Sequence, residues 1–438
     1  MIQPMRIAWF SPLPPARSGI ATYSADLVPR LAAAHAVDCF SETTAHDFLW
    51  KARRDPYDLV VYQLGNAPCH DFMWGYLAAF PGLVVLHDAR LHQARARDLL
   101  QQERFDDYRR EFWYDHPEAR PDFVEYAVAG LGGPIYYCWP MLRVVMRTAR
   151  AVAVHNPRVA ADLRDEFPGA AIAEIHLGTA ALDAAGAARG RVRQTLGVPP
   201  DGVLFTAFGK ITAEKRIGAI LRTFDAVARE RAGVHLLLAG DASGDPALAP
   251  ALASCAHAPR VHVSGYLPDE AITGYLAASD ACLCLRWPTA LESSASWLQC
   301  LAAGLPTVIS DLAHLVDIPT LEPRQRRAPQ APAEPVAIRV DLLDEDESLR
   351  LAMSALADDP RLRGALGRAG HAYWKAHHTL EVMTADYERV IAQAAARPSP
   401  VVSDLPPHFT DDHSQPARAI LRAFGISDLG LQISDSDV

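Results

Sequence analysis

The 438-residue chain has no run of about 18 apolar residues, so the sequence offers no segment that would cross a bilayer as a helix. It has no basic excess either. Its 42 lysines and arginines face 52 aspartates and glutamates, and the formal net charge of −10 argues against a general nucleic-acid binder. The 7 cysteines are scattered and form no CxxC pair, so neither a disulfide framework nor a zinc site is expected. Cys282 and Cys284 sit in an apolar run and read as buried structural thiols. Residues 1–6 lead straight into a predicted strand without a signal-peptide pattern. No internal repeat is visible. These absences, with a chain half apolar, point to a cytoplasmic protein with sizeable cores and two or three domains.

What the sequence does contain is strand–helix alternation, twice. Short apolar runs at residues 6–10, 37–40, 59–63, 83–86, 151–154 and 172–175 predict a first parallel sheet. Runs at 204–208, 235–239, 261–264, 281–285 and 307–309 predict a second. The expected domains are 1–185, with a helical and aromatic insertion at 89–150, and 186–378. A helix at 379–396 follows, and then a Pro/Ser/Asp-rich tail, 397–438, that reads as a mobile arm. Residues 319–335 read as a solvent loop. Two doubly wound domains of this kind face each other across a cleft, with chemistry in the loops after the strands.

Two segments carry that chemistry. In the first, Gly209 ends a predicted strand, Lys210 follows at once, and Lys215 comes five residues later at a predicted helix start. Glycine lets backbone approach a ligand, and two ammonium groups near a helix start suit a diphosphate, though two solvated loop lysines fit the spacing as well. In the second, a strand ends in a Pro loop and Glu292 precedes a helix capped by Ser293 or Ser294. Its carboxylate suits sugar hydroxyls or, equally, compensation of the helix dipole.

In this order on a paired α/β scaffold, the two segments resemble the family-4 retaining glycosyltransferases of GT-B fold. The similarity extends over roughly residues 6–395. It implies that Lys210, standing where the family has arginine, and Lys215 grip the donor diphosphate. It implies that Glu292 handles the sugar and Gln299, in place of a second glutamate, the ribose. The one-residue shift of Glu292 is similar to a subgroup with a Pro-Thr-x-x-Glu-Ser-Ser loop. The loop at Arg17 and Gly19 resembles the one whose glycine backbone meets the phosphates and shapes the acceptor side. His87 and Asp88 match a His-Asp signature near the donor sugar and acceptor. Tyr266 and Leu267 lie in the segment whose backbone meets the base.

The resemblance implies transfer of a hexosyl group from a nucleoside-diphosphate sugar to a glycan or lipid-linked acceptor hydroxyl, without metal or cofactor. Three other readings stand beside it: a catalytically weak nucleotide-sugar-binding or scaffold subunit, a sugar-nucleotide epimerase, and a phosphorylase on the same fold. A metal held by His87, Asp88 and His92 is disfavoured, because two adjacent residues rarely converge with a third at that spacing. Arg143, Arg147 and Arg150 share one predicted face beside Trp139 and Met146, either a peripheral membrane contact or a solvated basic face.

Overall fold

The computed structural model describes residues 4–133, 135–182, 186–243, 245–324, 334–411 and 415–425. Its first sheet has six strands: β1 (Arg6–Phe10), β2 (Ala36–Phe40), β3 (Leu59–Leu64), β4 (Leu83–Leu86), β5 (Ala151–Val154) and β6 (Ile172–Glu174). They lie in the order β2-β1-β3-β4-β5-β6, and every pair is parallel. The second sheet holds β7 (Val203–Phe208), β8 (Val234–Ala239), β9 (Val261–Val263), β10 (Ala281–Cys284), β11 (Thr307–Ser310), β12 (Thr320–Leu321) and β13 (Ala337–Val340). Their order is β12-β13-β11-β10-β7-β8-β9, again all parallel. Strands such as β4 and β5 are buried at every residue, which is why they read as unbroken apolar runs.

In the centre of each sheet the strand order reverses. In the first it does so between β1 and β3, in the second between β7 and β10. Crevices at the carboxyl ends of such strands are the general ligand sites of open α/β sheets, and the candidate loops follow β1, β3, β4, β7 and β10.

Between β4 and β5 lie five helices, and the first four build a satellite core around Tyr108, Phe112, Leu99 and Val124. His92 belongs to this core. Its Nε2 lies 2.7 Å from the Tyr108 hydroxyl, apart from His87 and Asp88 at the cleft.

The helix Leu380–Ala395 returns to the first sheet. Its Met383, Tyr387, Val390, Ile391 and Ala394 are fully buried in one cluster with Ile7, Trp9, Val61 and Val85. Gly178 permits the approach, since a Cβ there would lie 2.6 Å from the Thr379 carbonyl and 2.8 Å from Met383 Cβ. That cluster continues into the second domain through Trp297, Leu301 and Trp374.

Two sequence expectations are corrected here. The segment expected to begin a mobile arm instead follows the first domain as far as residue 411. Leu405 and Phe409 pack on the sheet's outer core, and His408 Nε2 lies 2.7 Å from the buried Glu111 carboxylate. Composition marks this stretch as loop, but a few anchoring side chains suffice to dock it. The same segment occupies two of the three arginines read as a membrane face, and the helical insertion holds the third. Arg147 pairs with Asp404 at 2.8 Å, Arg150 Nε donates to Ser399 Oγ, and Arg143 donates to the Asp115 carbonyl. A short helix, Gln415–Ala423, stands where the sequence shows an amphipathic stretch. The rest of the tail (412–414, 426–438), the centre of the 319–335 loop (325–333) and the start of the inter-domain linker (183–185) lie outside the described residues. Among the described residues no helix is long and apolar enough to cross a membrane.

Candidate active site

Strand β7 ends at Phe208, and Gly209 turns the chain with φ +94°, a region that favours glycine. A Cβ at Gly209 would sit 2.6 Å from both Lys215 Nζ and Ser296 Oγ, so the missing side chain is what lets Lys215 fold back. The ammonium of Lys215 donates to the Phe208 carbonyl. Burial, and then the neighbouring Arg286 guanidinium, lower its pKa from 10.5 to about 7. Two cations pressed together in a half-buried crevice favour an anion beside them, because an anion removes both the repulsion and the desolvation penalty.

Lys210 is exposed at the rim. It gathers with Arg17 near Asp241, a carboxylate held below its usual range first by Ser243 and then by these two cations. Arg17 reaches across from the first domain and stacks 4.6 Å over the Tyr266 ring. Tyr266 is half exposed, while Leu267 packs inward on the second domain's lesser core. Gly19 opens the helix Gly19–Leu31, whose N-cap Ser18 accepts from the Ile20 amide at 3.2 Å. Nothing lies within 4 Å of where a Gly19 side chain would begin.

Strand β10 delivers Arg286, which the sequence reading missed. Its Nε lies 2.7 Å from Glu292 Oε1. Glu292 Oε2 accepts from Thr289 Oγ1 at 2.8 Å and from the Ala290 amide at 2.9 Å. The loop is strained at Leu291, whose φ of +62° costs an L-residue about 1–2 kcal/mol. Three of the carboxylate's lone-pair sites are thus occupied, which leaves room for roughly one further donor.

Ser294, not Ser293, caps the helix Ala295–Ala302, accepting from the Trp297 amide at 3.2 Å. Ser293 Oγ donates to the His155 carbonyl of the first domain at 3.3 Å, a contact between domains. Gln299 is half-buried three residues beyond Ser296, on the helix face that borders Gly209. Ser296 was another omission. A serine inside a helix carries no signal until the neighbouring loop is placed.

From the first domain come His87 and Asp88, at the end of β4. The Asp88 carboxylate accepts from the Asn66 amide at 2.6 Å. Burial first, then the Glu292 charge, raise its pKa from 3.8 to about 7. Burial also holds His87 well below the usual imidazole range, and its neighbour His155 adds to this. Tyr137, from the helical insertion, donates to Glu214 Oε1 at 3.3 Å. Arg286 and Glu292 also line an inter-domain cavity of about 290 Å³, which His155, Trp297 and Tyr373 help to close. The site therefore assembles a cationic crevice, two carboxylates of opposed environment and a neutral imidazole, from the loops after β1, β4, β7 and β10.

Residues 202–326 match the family model described as Glycosyl transferases group 1. No curated protein matches the chain by sequence. Among solved structures, Alr3699/HepE of Anabaena in complex with UDP and glucose superposes with a TM-score of 0.60 at 12% identity, covering 89% of this chain and 99% of that one. Sucrose-phosphate synthase from Thermosynechococcus elongatus gives 0.59 at 15% identity, with 89% and 98% covered. WaaG, a glycosyltransferase involved in lipopolysaccharide biosynthesis, gives 0.57 at 12%, with 88% and 99% covered. The fold is GT-B. In this GT-B chain the family match spans β7 to β12, the part that carries Gly209, Lys215, Arg286 and Glu292.

Proposed function

We propose that the chain is a retaining glycosyltransferase that moves a hexosyl group from a nucleoside-diphosphate sugar to the hydroxyl of a glycan or lipid-linked acceptor. It would serve glycan, polysaccharide or glycolipid synthesis. The observation that carries this reading is the pairing of Lys215 with Arg286 at the second sheet's switch point, beside exposed Lys210. The UDP and glucose of Anabaena HepE support a donor of this class.

In this mechanism the bond from the anomeric carbon to the diphosphate oxygen breaks and its electron pair leaves with the diphosphate. Lys215, Arg286 and Lys210 stabilise the charge that grows there. The acceptor oxygen bonds the same face of the sugar, and its proton passes to the departing phosphate. Glu292 and His87 orient the sugar, while Asp88 and Tyr137 face the acceptor. The second domain (186–378) holds the donor and the first (1–185) the acceptor. Contacts such as the Ser293–His155 and Asn156–His314 bonds draw the halves together and exclude water. Three cations supply the compensation that a divalent ion supplies in other transferases, so turnover is expected to persist in EDTA. No cofactor takes part.

The test is titration calorimetry with UDP, GDP and ADP, followed by turnover with the matching sugar donors. Lys215→Ala should cut turnover by orders of magnitude in a folded protein. Near-normal turnover in that variant, or the absence of binding to every nucleotide, would overturn the reading.

A further inference from the structure

Strand β3 carries a glutamine where its alternation calls for an apolar residue. Leu59 and Val61 pack into the cluster shared with the returning helix, and Gln63 points to the same side with no exposed surface. A buried amide is costly unless its hydrogen bonds are made. Here the Tyr387 hydroxyl accepts from the Tyr23 hydroxyl at 2.6 Å and from Gln63 Nε2 at 3.2 Å, and donates its own proton to Gln63 Oε1 at 3.3 Å. Gln63 Oε1 also faces His87 Nε2 at 2.8 Å. The Gln63 carbonyl is fixed as well, 2.7 Å from His70 Nδ1.

An amide oxygen can only accept, so the His87 nitrogen opposite it carries the proton. Two rings hold the imidazole plane: Tyr23 edge-on with centroids 4.9 Å apart, and His155 also at 4.9 Å. His87 Nδ1 has no partner among the described residues, and the residue lies half-buried just beyond the carboxyl end of β4.

We infer that Gln63 and Tyr387 are positioning residues that lock His87 in the Nε2–H tautomer and so make its Nδ1 a fixed acceptor for a hydroxyl of the bound ligand. Assigning that hydroxyl to the donor sugar rests on the glycosyl-transfer reading, whereas the tautomer does not. Tyr387 lies 324 residues from Gln63, on the helix that returns from the second domain. The acceptor in the cleft thus depends on that helix being docked.

The experiment uses the full chain labelled with ¹⁵N-histidine, with His87→Asn identifying the His87 signals. At pH 7 the wild type should show a neutral ring protonated at Nε2. Tyr387→Phe, which removes one oxygen, and Gln63→Leu should each move His87 toward mixed tautomers. Both should lower kcat on the order of tenfold, with a smaller change in donor KM. An Nδ1–H signature in the wild type, or unchanged His87 shifts in both variants, overturns the inference. Wild-type kcat in Tyr387→Phe despite a lost tautomer overturns the positioning role. An intact tautomer signature with no sugar transfer in the wild type counts against the transferase reading and leaves the tautomer lock standing.

Discussion

The amide of Ala89 donates to the carbonyl of Ala290 at 2.9 Å, and this bond holds the end of β4 against the loop that carries Glu292. Asp88 and Glu292 are thereby brought to face each other from different domains, and the cost falls on Asp88.

That cost is measurable as a pH dependence. The Asp88 pKa is about 7 in the folded chain against 3.8 as the ordinary value. Between those two values the native state binds more protons than the unfolded one, so stability from this group declines as pH rises and is fully lost above about 7. Asp88→Asn keeps the acceptor for the Asn66 amide and removes the charge. It should stabilise the protein on the order of 1–3 kcal/mol at pH 8, with the gain shrinking toward pH 4. Thermal melts of both proteins from pH 4 to 8 check this, and a pH-independent difference would refute it. Glu292→Gln in the chain that retains Asp88 should shift the transition to lower pH.

Donor affinity should carry a second pH signature. Lys215 must be protonated to meet a diphosphate, and its pKa near 7 leaves it partly neutral in the free protein. Binding of a nucleoside-diphosphate sugar, whose own charge does not change in this range, should weaken up to about tenfold per pH unit above 7. Lys215→Arg should flatten the curve. Calorimetry at pH 6 to 9 decides, and constant affinity in the wild type would contradict the assignment.

Gly209→Ala tests the cradle itself. The new Cβ meets Lys215 Nζ and Ser296 Oγ at 2.6 Å, on a backbone with φ +94°. The expected loss is about 1–3 kcal/mol of stability, together with a loss of nucleotide affinity as Lys215 is displaced. If affinity were unchanged, Lys215 would not hold the anion.

The docked tail segment should contribute to stability. Ending the chain after residue 396 removes the His408–Glu111 contact and Phe409, whose ring lies 6.4 Å from that of Trp74. A loss on the order of 1–3 kcal/mol is expected, since Glu111 and Arg95 then lose part of their cover. Asp404→Ala, which breaks an exposed ion pair, should cost less than about 1 kcal/mol. Differential scanning calorimetry separates the two. An unshifted melt after truncation would mean the segment does not bind in solution.

The fold was readable from the chain because parallel strands buried on both faces need apolar residues at every position, and runs such as those of β4 and β5 punctuate the sequence. The Gly209 and Lys215 spacing was readable because a strand end, a tight turn and a helix start are local events. Arg286 was not. It matters because β10 lies beside β7, a neighbour relation that no spacing records. Gln63 stands out as a polar break in an apolar strand, but its partner Tyr387 is more than 300 residues away. The tail from 397 to 411 deceived by composition, since Pro and Ser mark irregular backbone and not the lack of a surface to rest on.

The buried face of the Leu380–Ala395 helix also sets an order of events during synthesis. The first sheet is translated by residue 174, yet Met383, Tyr387, Val390, Ile391 and Ala394 belong to its core. A nascent chain must therefore carry an open apolar groove on its first domain while the whole second domain emerges from the ribosome. Chaperone dependence should be greatest in that interval, and it should end abruptly once the last turn of the returning helix is free.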